Sequence, residues 1–202
     1  MQDAFNAGYW NDRYQNHQTG WDVGSVTLPL KQYLDQIRDK SITILVPGAG
    51  NGYEAIYAYH NGFKNVHILD ISPLPLANFI REYPYFPEDQ IHREDFFQHS
   101  KKYDLVIEQT FFCSLIPTQR KNYVKKMKEI IVPGGKLIGV LFDTDFQKEG
   151  PPFGGSRDEY HSLFQNDFTI DTMEPCHNSI PPRMGRELFI KLINNAGYNV
   201  LL

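Results

Sequence analysis

Cysteine is scarce in this sequence. Only Cys113 and Cys176 occur among 202 residues, so the chain lacks the cysteine density of a small disulfide-stapled secreted protein. It also lacks an apolar stretch of membrane-spanning length, and its first residues show neither the basic nor the apolar segment of a secretion signal. These absences predict a protein with reduced thiols that lies in the cytoplasm and has no membrane partner.

An excess of basic residues is also absent. The chain carries 20 Lys and Arg against 24 Asp and Glu, a formal net charge of -4. Because nucleic-acid binding needs a basic footprint, nucleic acid is not an expected partner. The seven histidines show no close ligand spacing, and Asp143 and Asp145 fit a polar loop, so no metal site is predicted.

Three alternate glycines form the most informative motif. Gly48, Gly50 and Gly52 follow the apolar run 42–46 and precede a segment with helical spacing, which predicts a buried strand, a tight turn and a helix N-terminus. Such a turn needs backbone angles that a Cβ disfavours, and a ligand over the loop must reach bare main chain. Nicotinamide and flavin proteins favour G-x-G-x-x-G. The G-x-G-x-G spacing here favours a ligand without a pyrophosphate, such as S-adenosylmethionine.

Acidic residues follow the next two predicted strands. Asp70 ends the second strand, where nucleoside-binding α/β proteins place the carboxylate that accepts both ribose hydroxyls. Ser72 and Pro73 supply a cap and a first-turn proline to the next helix, so we expect Asp70 to be free for the ligand. Asp95 and Phe96, after the short third strand, are the candidates for adenine, with a surface turn as the alternative.

The order of predicted elements indicates the fold class. Strands alternate with helices through the fifth strand, 136–142, which predicts an α/β fold with a parallel sheet and helices on both faces. Two further strands, 168–174 and 187–194, are joined by a loop with Pro and Gly, so we expect an antiparallel pair at one edge. This is the plan of a Rossmann-like class I methyltransferase, with a mostly parallel seven-stranded sheet and an antiparallel C-terminal hairpin.

Both tryptophans of the chain precede the first predicted strand. Trp10 and Tyr14 are four residues apart and share one face of a helix, and the glycine before Trp21 allows a turn that brings this ring back to them. Ring faces attract a sulfonium cation. The segment is therefore predicted to be a lid over the cofactor, with simple packing on the domain as the alternative. We expect one domain, 1–202, in which residues 1–40 form this covering segment.

Several short motifs occur together in the order and spacing of a known family. They are the leader Trp10/Tyr14/Trp21-Asp22, Val46-Pro47-Gly48-Ala49-Gly50, Leu69-Asp70-Ile71-Ser72, Phe111-Phe112-Cys113, Pro133-Gly134-Gly135 and Gly150-Pro151-Pro152-Phe153. The set resembles the thiopurine S-methyltransferase family, in particular its plant and microbial branch of halide and thiol methyltransferases. In Tyr14 and Phe142 the chain departs from plant members, which tend to have tryptophan and tyrosine there.

The resemblance implies a site as well as a fold. It implies cofactor contacts at Trp10, Tyr14, Trp21, Gly48, Asp70, Asp95, Phe96 and Thr110, to which the glycine loop adds Gly50. It implies an S-adenosylmethionine-dependent methyltransferase whose acceptor is a small molecule, namely a thiol, thiocyanate or halide. The acceptor pocket is expected to take walls from Phe111, Phe112, Phe142 and Phe153, and an attractive charge from Arg120 or Arg157. Core packing and surface charge are the alternative roles of these six residues.

No catalytic residue is predicted, because in-line displacement by a thiolate or small anion needs position rather than a general base. A short-chain dehydrogenase is disfavoured, since no tyrosine has lysine four residues later; Tyr123 is followed there by Met127. A protein that binds S-adenosylmethionine without turnover, or one that uses a different small acceptor, stays open as an alternative. The sequence specifies no oligomeric state.

Overall fold

A computed structural model describes residues 5–147 and 149–195 of the chain. The α-helices in these residues are α1 Ala7–Gln15, α2 Leu28–Gln36, α3 Tyr53–His60, α4 Pro73–Glu82, α5 Arg120–Ile130 and α6 Arg157–Phe164. The strands are β1 Thr43–Pro47, β2 Asn65–Asp70, β3 Ile91–Arg93, β4 Tyr103–Gln109, β5 Ile131–Phe142, β6 Phe168–Pro175 and β7 Glu187–Asn194. Of the expected domain 1–202, including its covering segment 1–40, residues 1–4, 148 and 196–202 lie outside the described residues.

The seven strands form a sheet with the order β3-β2-β1-β4-β5-β7-β6. The pairs β1–β2, β1–β4, β2–β3 and β4–β5 are parallel. Strand β7 lies between β5 and β6 and runs antiparallel to both. The predicted class is therefore confirmed, including the mostly parallel sheet and the antiparallel hairpin at its C-terminal edge.

Alternate side chains of the central strands fill two separate cores. Ile44 and Val46 of β1 pack with residues of α2, α3 and α4, whereas Leu45 belongs to the core on the opposite face, with residues of α5 and α6. Leu105 and Val106 of β4 divide between the two faces in the same way. Because both faces are covered by helices, these strands are apolar throughout rather than alternately polar.

Two elements differ from the sequence predictions. Helix α6 was not anticipated; it is short, its buried residues are Tyr160 and Phe164 one turn apart, and Ser156 caps it by accepting a hydrogen bond from the Glu159 N–H at 3.3 Å. Strand β5 begins at Ile131, before the predicted 136; Gly134 within it has a φ of 77°, and the β4–β5 register shifts between Tyr103 and Leu105. In the described part of the chain, no helix is long and apolar enough to cross a membrane.

Candidate active site

A cavity of about 630 Å³ lies at the carboxyl ends of the parallel strands. Strands β2 and β5 contribute their last residues, Asp70 and Phe142, and the loops after β1, β3 and β4 contribute Gly48, Asp95 and Thr110 to its lining. Parallel strands bring all these loops to the same edge of the sheet, which is where α/β proteins of this class bind their ligands. The volume is in the range of small-molecule sites.

The glycine loop after β1 forms part of the cavity floor. Gly48, Gly50 and Gly52 all have positive φ angles, of 58°, 53° and 72°, so the predicted tight turn is present. A Cβ at Gly48 would overlap the ring of Phe111, and one at Gly50 would lie 2.5 Å from the hydroxyl oxygen of Tyr14. Glycine is thus required here both by the turn and by two aromatic neighbours. Gly50 itself borders a smaller adjoining cavity of about 50 Å³.

Asp70 joins this loop to the end of β2. Its Oδ2 accepts a hydrogen bond from the Gly50 N–H at 2.9 Å, and its Oδ1 accepts one from the Ser72 N–H at 2.8 Å. Burial raises the pKa of the Asp70 carboxyl above its usual value. A hydrogen bond from the Ile71 N–H adds to these two, and all three backbone bonds favour the charged carboxylate that burial disfavours. The expected side-chain cap by Ser72 is absent, so Asp70 is not released from backbone contacts in the way that the sequence suggested.

The N-terminal aromatic rings also line the cavity. Trp10 and Tyr14 lie on helix α1, and each packs edge-on against Trp21, with ring centroids 5.4 and 5.7 Å apart. Tyr14 is largely buried, and this burial raises the pKa of its hydroxyl. We call these three residues the aromatic roof. The structure thus brings together the three rings that the sequence assigned to a lid.

Polar contacts anchor the aromatic roof to the sheet. The Asp22 Oδ2 accepts hydrogen bonds from the Asn51 amide at 2.5 Å and from the Tyr53 hydroxyl at 3.3 Å, which ties the roof to the glycine loop and α3. On the other side, the Arg183 Nη2 donates to the Trp21 carbonyl oxygen at 2.7 Å. The roof is therefore held by both the first β–α loop and the loop between β6 and β7.

The chain leaves β4 through a turn held by a buried carboxylate. The Glu108 Oε1 accepts the N–H groups of Phe111 and Phe112, both at 2.8 Å, and its Oε2 accepts the Tyr123 hydroxyl at 2.6 Å. Thr110 has a φ of 58°, which is an unfavourable conformation for a β-branched residue. This turn places Thr110 and Phe111 on the cavity wall.

The turn after β3 closes one end of the cavity. Asp95 is exposed and its Oδ1 accepts the Phe97 N–H at 2.9 Å, which leaves the other carboxylate oxygen available. Phe96 is buried against Phe111, with ring centroids 5.0 Å apart. Both predicted adenine candidates line the cavity, as does the preceding Glu94.

The predicted acceptor residues separate into two groups. Phe111 and Phe142 line the cavity, whereas Phe112, Arg120, Phe153 and Arg157 are not part of its lining. Phe112 is 1% exposed in the core behind the cavity wall. Phe153 lies just outside the lining, where its ring packs against that of Phe5.

The placement predicted for the two arginines needs correction. Arg120 is 4% exposed, and its guanidinium is bound by Glu159 and by the Gly154 carbonyl oxygen. Arg157 binds the Met173 carbonyl oxygen at 2.9 Å and forms an ion pair with Glu174. Their charges are therefore engaged within the fold and away from the cavity.

Other residues that line the cavity were not anticipated. Arg183 and Arg186 come from the loop between β6 and β7, and Cys113 comes from the turn after β4. Arg183 is 8% exposed and lies 3.7 Å from Glu187, whereas Arg186 is exposed. Burial raises the pKa of the Cys113 thiol, which keeps it protonated and poorly nucleophilic. The Pro181-Pro182-Arg183 run was the available signal for this loop.

Comparison with known proteins gives consistent matches. Residues 5–189 match the family model described as thiopurine S-methyltransferase. The chain is 29% identical over 187 residues to probable thiol methyltransferase 2 of Arabidopsis thaliana, an alignment that covers 90% of this chain and 82% of that protein. It is 28% identical over 186 residues to thiocyanate methyltransferase 1 of the same plant, with 89% and 82% covered.

A solved structure matches the fold over most of its length. It is the 1,6-didemethyltoxoflavin-N1-methyltransferase of Burkholderia thailandensis, crystallised with 1,6-didemethyltoxoflavin and S-adenosylhomocysteine. The TM-score is 0.74 at 13% identity, with 93% of this chain and 86% of that chain covered. At this identity the likeness shows the fold alone. Together these matches confirm the predicted family resemblance and the class I methyltransferase fold.

Replacement of Gly48 tests the packing of the cavity floor. Gly48→Ala should destabilise the protein by about 1–3 kcal/mol more than Gly134→Ala, because both positions have positive φ but only Gly48 would overlap Phe111. Gly134 is the matched control, since an added Cβ meets nothing within 4 Å there. Urea unfolding measures the difference. Equal losses in the two variants would show that Phe111 does not occupy the space over Gly48.

Glu108 gives a prediction on pH. Burial raises its pKa to about 7 in the folded chain from an ordinary value of 4.5. The folded state therefore holds this proton more tightly than the unfolded state, so stability is lost as the pH rises through 7. Between pH 5 and pH 8 the wild type should lose about 2 kcal/mol more than Glu108→Gln, which keeps an acceptor oxygen but does not titrate.

Urea unfolding at pH 5, 6.5 and 8 measures this difference. Glu54, another buried acid whose pKa is raised by burial to about 7, is present in both proteins, so its contribution cancels. Parallel pH profiles for wild type and variant would refute the assignment to Glu108.

Proposed function

Since the chain belongs to the thiopurine S-methyltransferase family, we propose that it transfers the methyl group of S-adenosylmethionine to a small thiol, thiocyanate or halide. The single observation that carries the proposal is one cavity lined by both the aromatic roof and Asp70. A sulfonium needs ring faces and a ribose needs a carboxylate, and one cavity of about 630 Å³ supplies both. The thiol and thiocyanate methyltransferases to which the chain is similar support the acceptor class.

We assign different lining residues to different parts of S-adenosylmethionine. In the proposed complex the Asp70 carboxylate accepts the ribose hydroxyls, and Asp95 and Phe96 meet the adenine at the end beyond β3. Gly48, Gly50 and the Thr110 backbone contact the methionine portion. The aromatic roof of Trp10, Tyr14 and Trp21 covers the sulfonium. These assignments are supported by the position of each residue at the two adjoining cavities.

When bound, S-adenosylmethionine supplies a methyl group that is activated by its positive sulfur. The chain's own task is to hold an acceptor in line with that methyl group and to exclude water from it. Phe111 and Phe142 present apolar walls for this purpose, and the rings of the aromatic roof line the same cavity. A thiolate or small anion carries its own lone pair, so the proposed reaction needs no general base in the cavity. Cys113, whose thiol stays protonated, takes no part in it.

An anionic acceptor needs a positive charge, and the β6–β7 loop provides two. Arg183 is buried beside Glu187 and donates to the Trp21 carbonyl oxygen, so its charge is largely committed to holding the roof. Arg186 is exposed, lines the cavity and lies 5.1 Å above the Phe146 ring. We therefore assign attraction of the acceptor to Arg186, in place of Arg120 and Arg157.

The proposal extends to the domain organisation, the partners and the cellular location of the protein. The chain acts as one domain, in which the segment 1–40 covers the cofactor, and no nucleic acid takes part. We place the protein in the cytoplasm. Cys113 and Cys176 are both unpaired and buried, which suits a reducing compartment.

Methyl-transfer assays test the proposal. Wild-type protein, radiolabelled S-adenosylmethionine and either thiocyanate, iodide or a small aromatic thiol should give a volatile methylated product. Arg186→Gln should lower kcat/KM for thiocyanate about fivefold, the effect of about 1 kcal/mol of lost attraction in water. The exposed Arg38, which is not part of the cavity lining, provides the control variant Arg38→Gln and should leave kcat/KM unchanged.

Two outcomes would contradict the proposal in different ways. Binding of S-adenosylmethionine without product from any acceptor would favour a protein that binds this ligand without turnover. Equal losses in Arg186→Gln and Arg38→Gln would remove Arg186 from the acceptor site while leaving the methyl transfer itself intact.

A further inference from the structure

Three potential metal ligands that belong neither to the aromatic roof nor to the proposed acceptor walls lie close together. His92 lies in β3, Glu94 follows that strand, and His99 follows the short 3-10 helix Phe96–Gln98. One ligand atom from each residue lies within 4.8 Å of the others. The positions 92, 94 and 99 match no simple ligand spacing in the sequence. The tight turn after β3 brings them together, which is why the sequence predicted no metal site.

The donor set is suited to a borderline divalent metal. Two imidazole nitrogens and one carboxylate oxygen form a set that Zn²⁺ accepts in proteins, with water completing its tetrahedral coordination. Softer thiolate ligands are absent from this cluster, and hard cations such as Mg²⁺ prefer sites made of oxygen alone.

Outer partners already fix both histidine rings. The His92 Nε2 lies 2.9 Å from the His67 Nδ1, and the two rings are stacked. The His99 Nε2 lies 2.7 Å from the Tyr103 hydroxyl, and these rings are stacked as well. Metal-binding histidines characteristically have their second ring nitrogen held in this manner, which sets the tautomer and the ring orientation.

Metal binding requires only that the His99 tautomer changes and that the His99 and Glu94 ligand atoms move slightly apart. The His99 Nδ1 and the Glu94 Oε1 are hydrogen-bonded at 2.7 Å. Two ligands of a tetrahedral zinc are roughly 3.3 Å apart, given metal–ligand distances of about 2.0 Å. On binding, the neutral His99 ring would change tautomer: its Nδ1 gives up its proton to solvent and binds the ion, and its Nε2 takes one proton from solvent and donates it in a hydrogen bond to the Tyr103 oxygen. A ring nitrogen of His92 completes the protein ligands.

We propose that His92, Glu94 and His99 bind one divalent transition-metal ion, with Zn²⁺ as the expected metal. The ion would cross-link β3 to the turn that follows it. Through His67 and Tyr103 it would also be supported by β2 and β4. Glu94 borders the cavity beside Asp95, so the ion would stabilise the end of the cavity that lies next to Phe96. Its role is structural and involves no step of methyl transfer.

Calorimetric titration of the chelator-treated full chain with ZnCl₂ tests this site, and Co²⁺ absorption in the visible range reports its coordination. Wild-type protein should bind one equivalent, show the intense bands of tetrahedral Co²⁺, and gain about 5 °C in Tm at 100 times Kd. His92→Gln and Glu94→Gln should each weaken Zn²⁺ binding at least about tenfold. His177→Gln, at an exposed histidine far along the chain, is the control and should bind as the wild type does.

Glu94→Gln guards against a folding artefact, because the Glu94 side chain is 39% exposed. Failure of the wild type to bind Zn²⁺ would overturn the proposal, as would unchanged affinity in both ligand variants or equal loss in His177→Gln. None of these readouts depends on S-adenosylmethionine, so they are independent of the outcome of the methyl-transfer assays.

Discussion

The hydrogen bond from the Gly50 N–H to the Asp70 carboxylate is the contact on which the site depends. It joins the exits of β1 and β2, the two adjacent strands at whose ends the glycine loop and the ribose carboxylate lie. Because Asp70 is buried, this bond and the one from Ser72 stabilise a charge that would otherwise be costly inside the protein. The carboxylate therefore helps to shape the loop as well as to bind a ligand.

The position of the aromatic roof depends on the conformation of the glycine loop. The left-handed conformation of Gly50 leaves room for the Tyr14 hydroxyl, and a Cβ there would displace it. Asp22 and Arg183 then attach the roof to α3 and to the β6–β7 loop. A segment that precedes the sheet in sequence thus becomes a wall of the cavity, held by contacts to two distant parts of the chain.

Sequence patterns predicted those site residues whose position is determined by the backbone at the end of a strand. The glycine loop, Asp70 and the turn at Asp95 and Phe96 lie at strand ends, and strand ends are readable from apolar runs and glycines. The aromatic roof was predicted from the helical spacing of Trp10 and Tyr14, from the glycine before Trp21 and from the family resemblance.

The arginines show where such patterns are insufficient. Arg120 occupies the first position of α5, and the buried residues Tyr123, Val124 and Met127 follow it at helical spacing, so its side chain points into the protein. Its partner Glu159 lies on α6, the helix that the sequence analysis missed. Arg186 reaches the cavity only because β7 inserts between β5 and β6, a feature of topology that no local pattern records.

Tryptophan fluorescence during titration with S-adenosylhomocysteine reports whether the cofactor binds beneath the aromatic roof. Trp10 and Trp21 are the chain's only tryptophans and both line the cavity, so the whole signal comes from the aromatic roof. We expect a saturable change with one equivalent of ligand and no change when NAD is added instead. A fluorescence signal that stays constant through the titration would contradict a cofactor site beneath these rings.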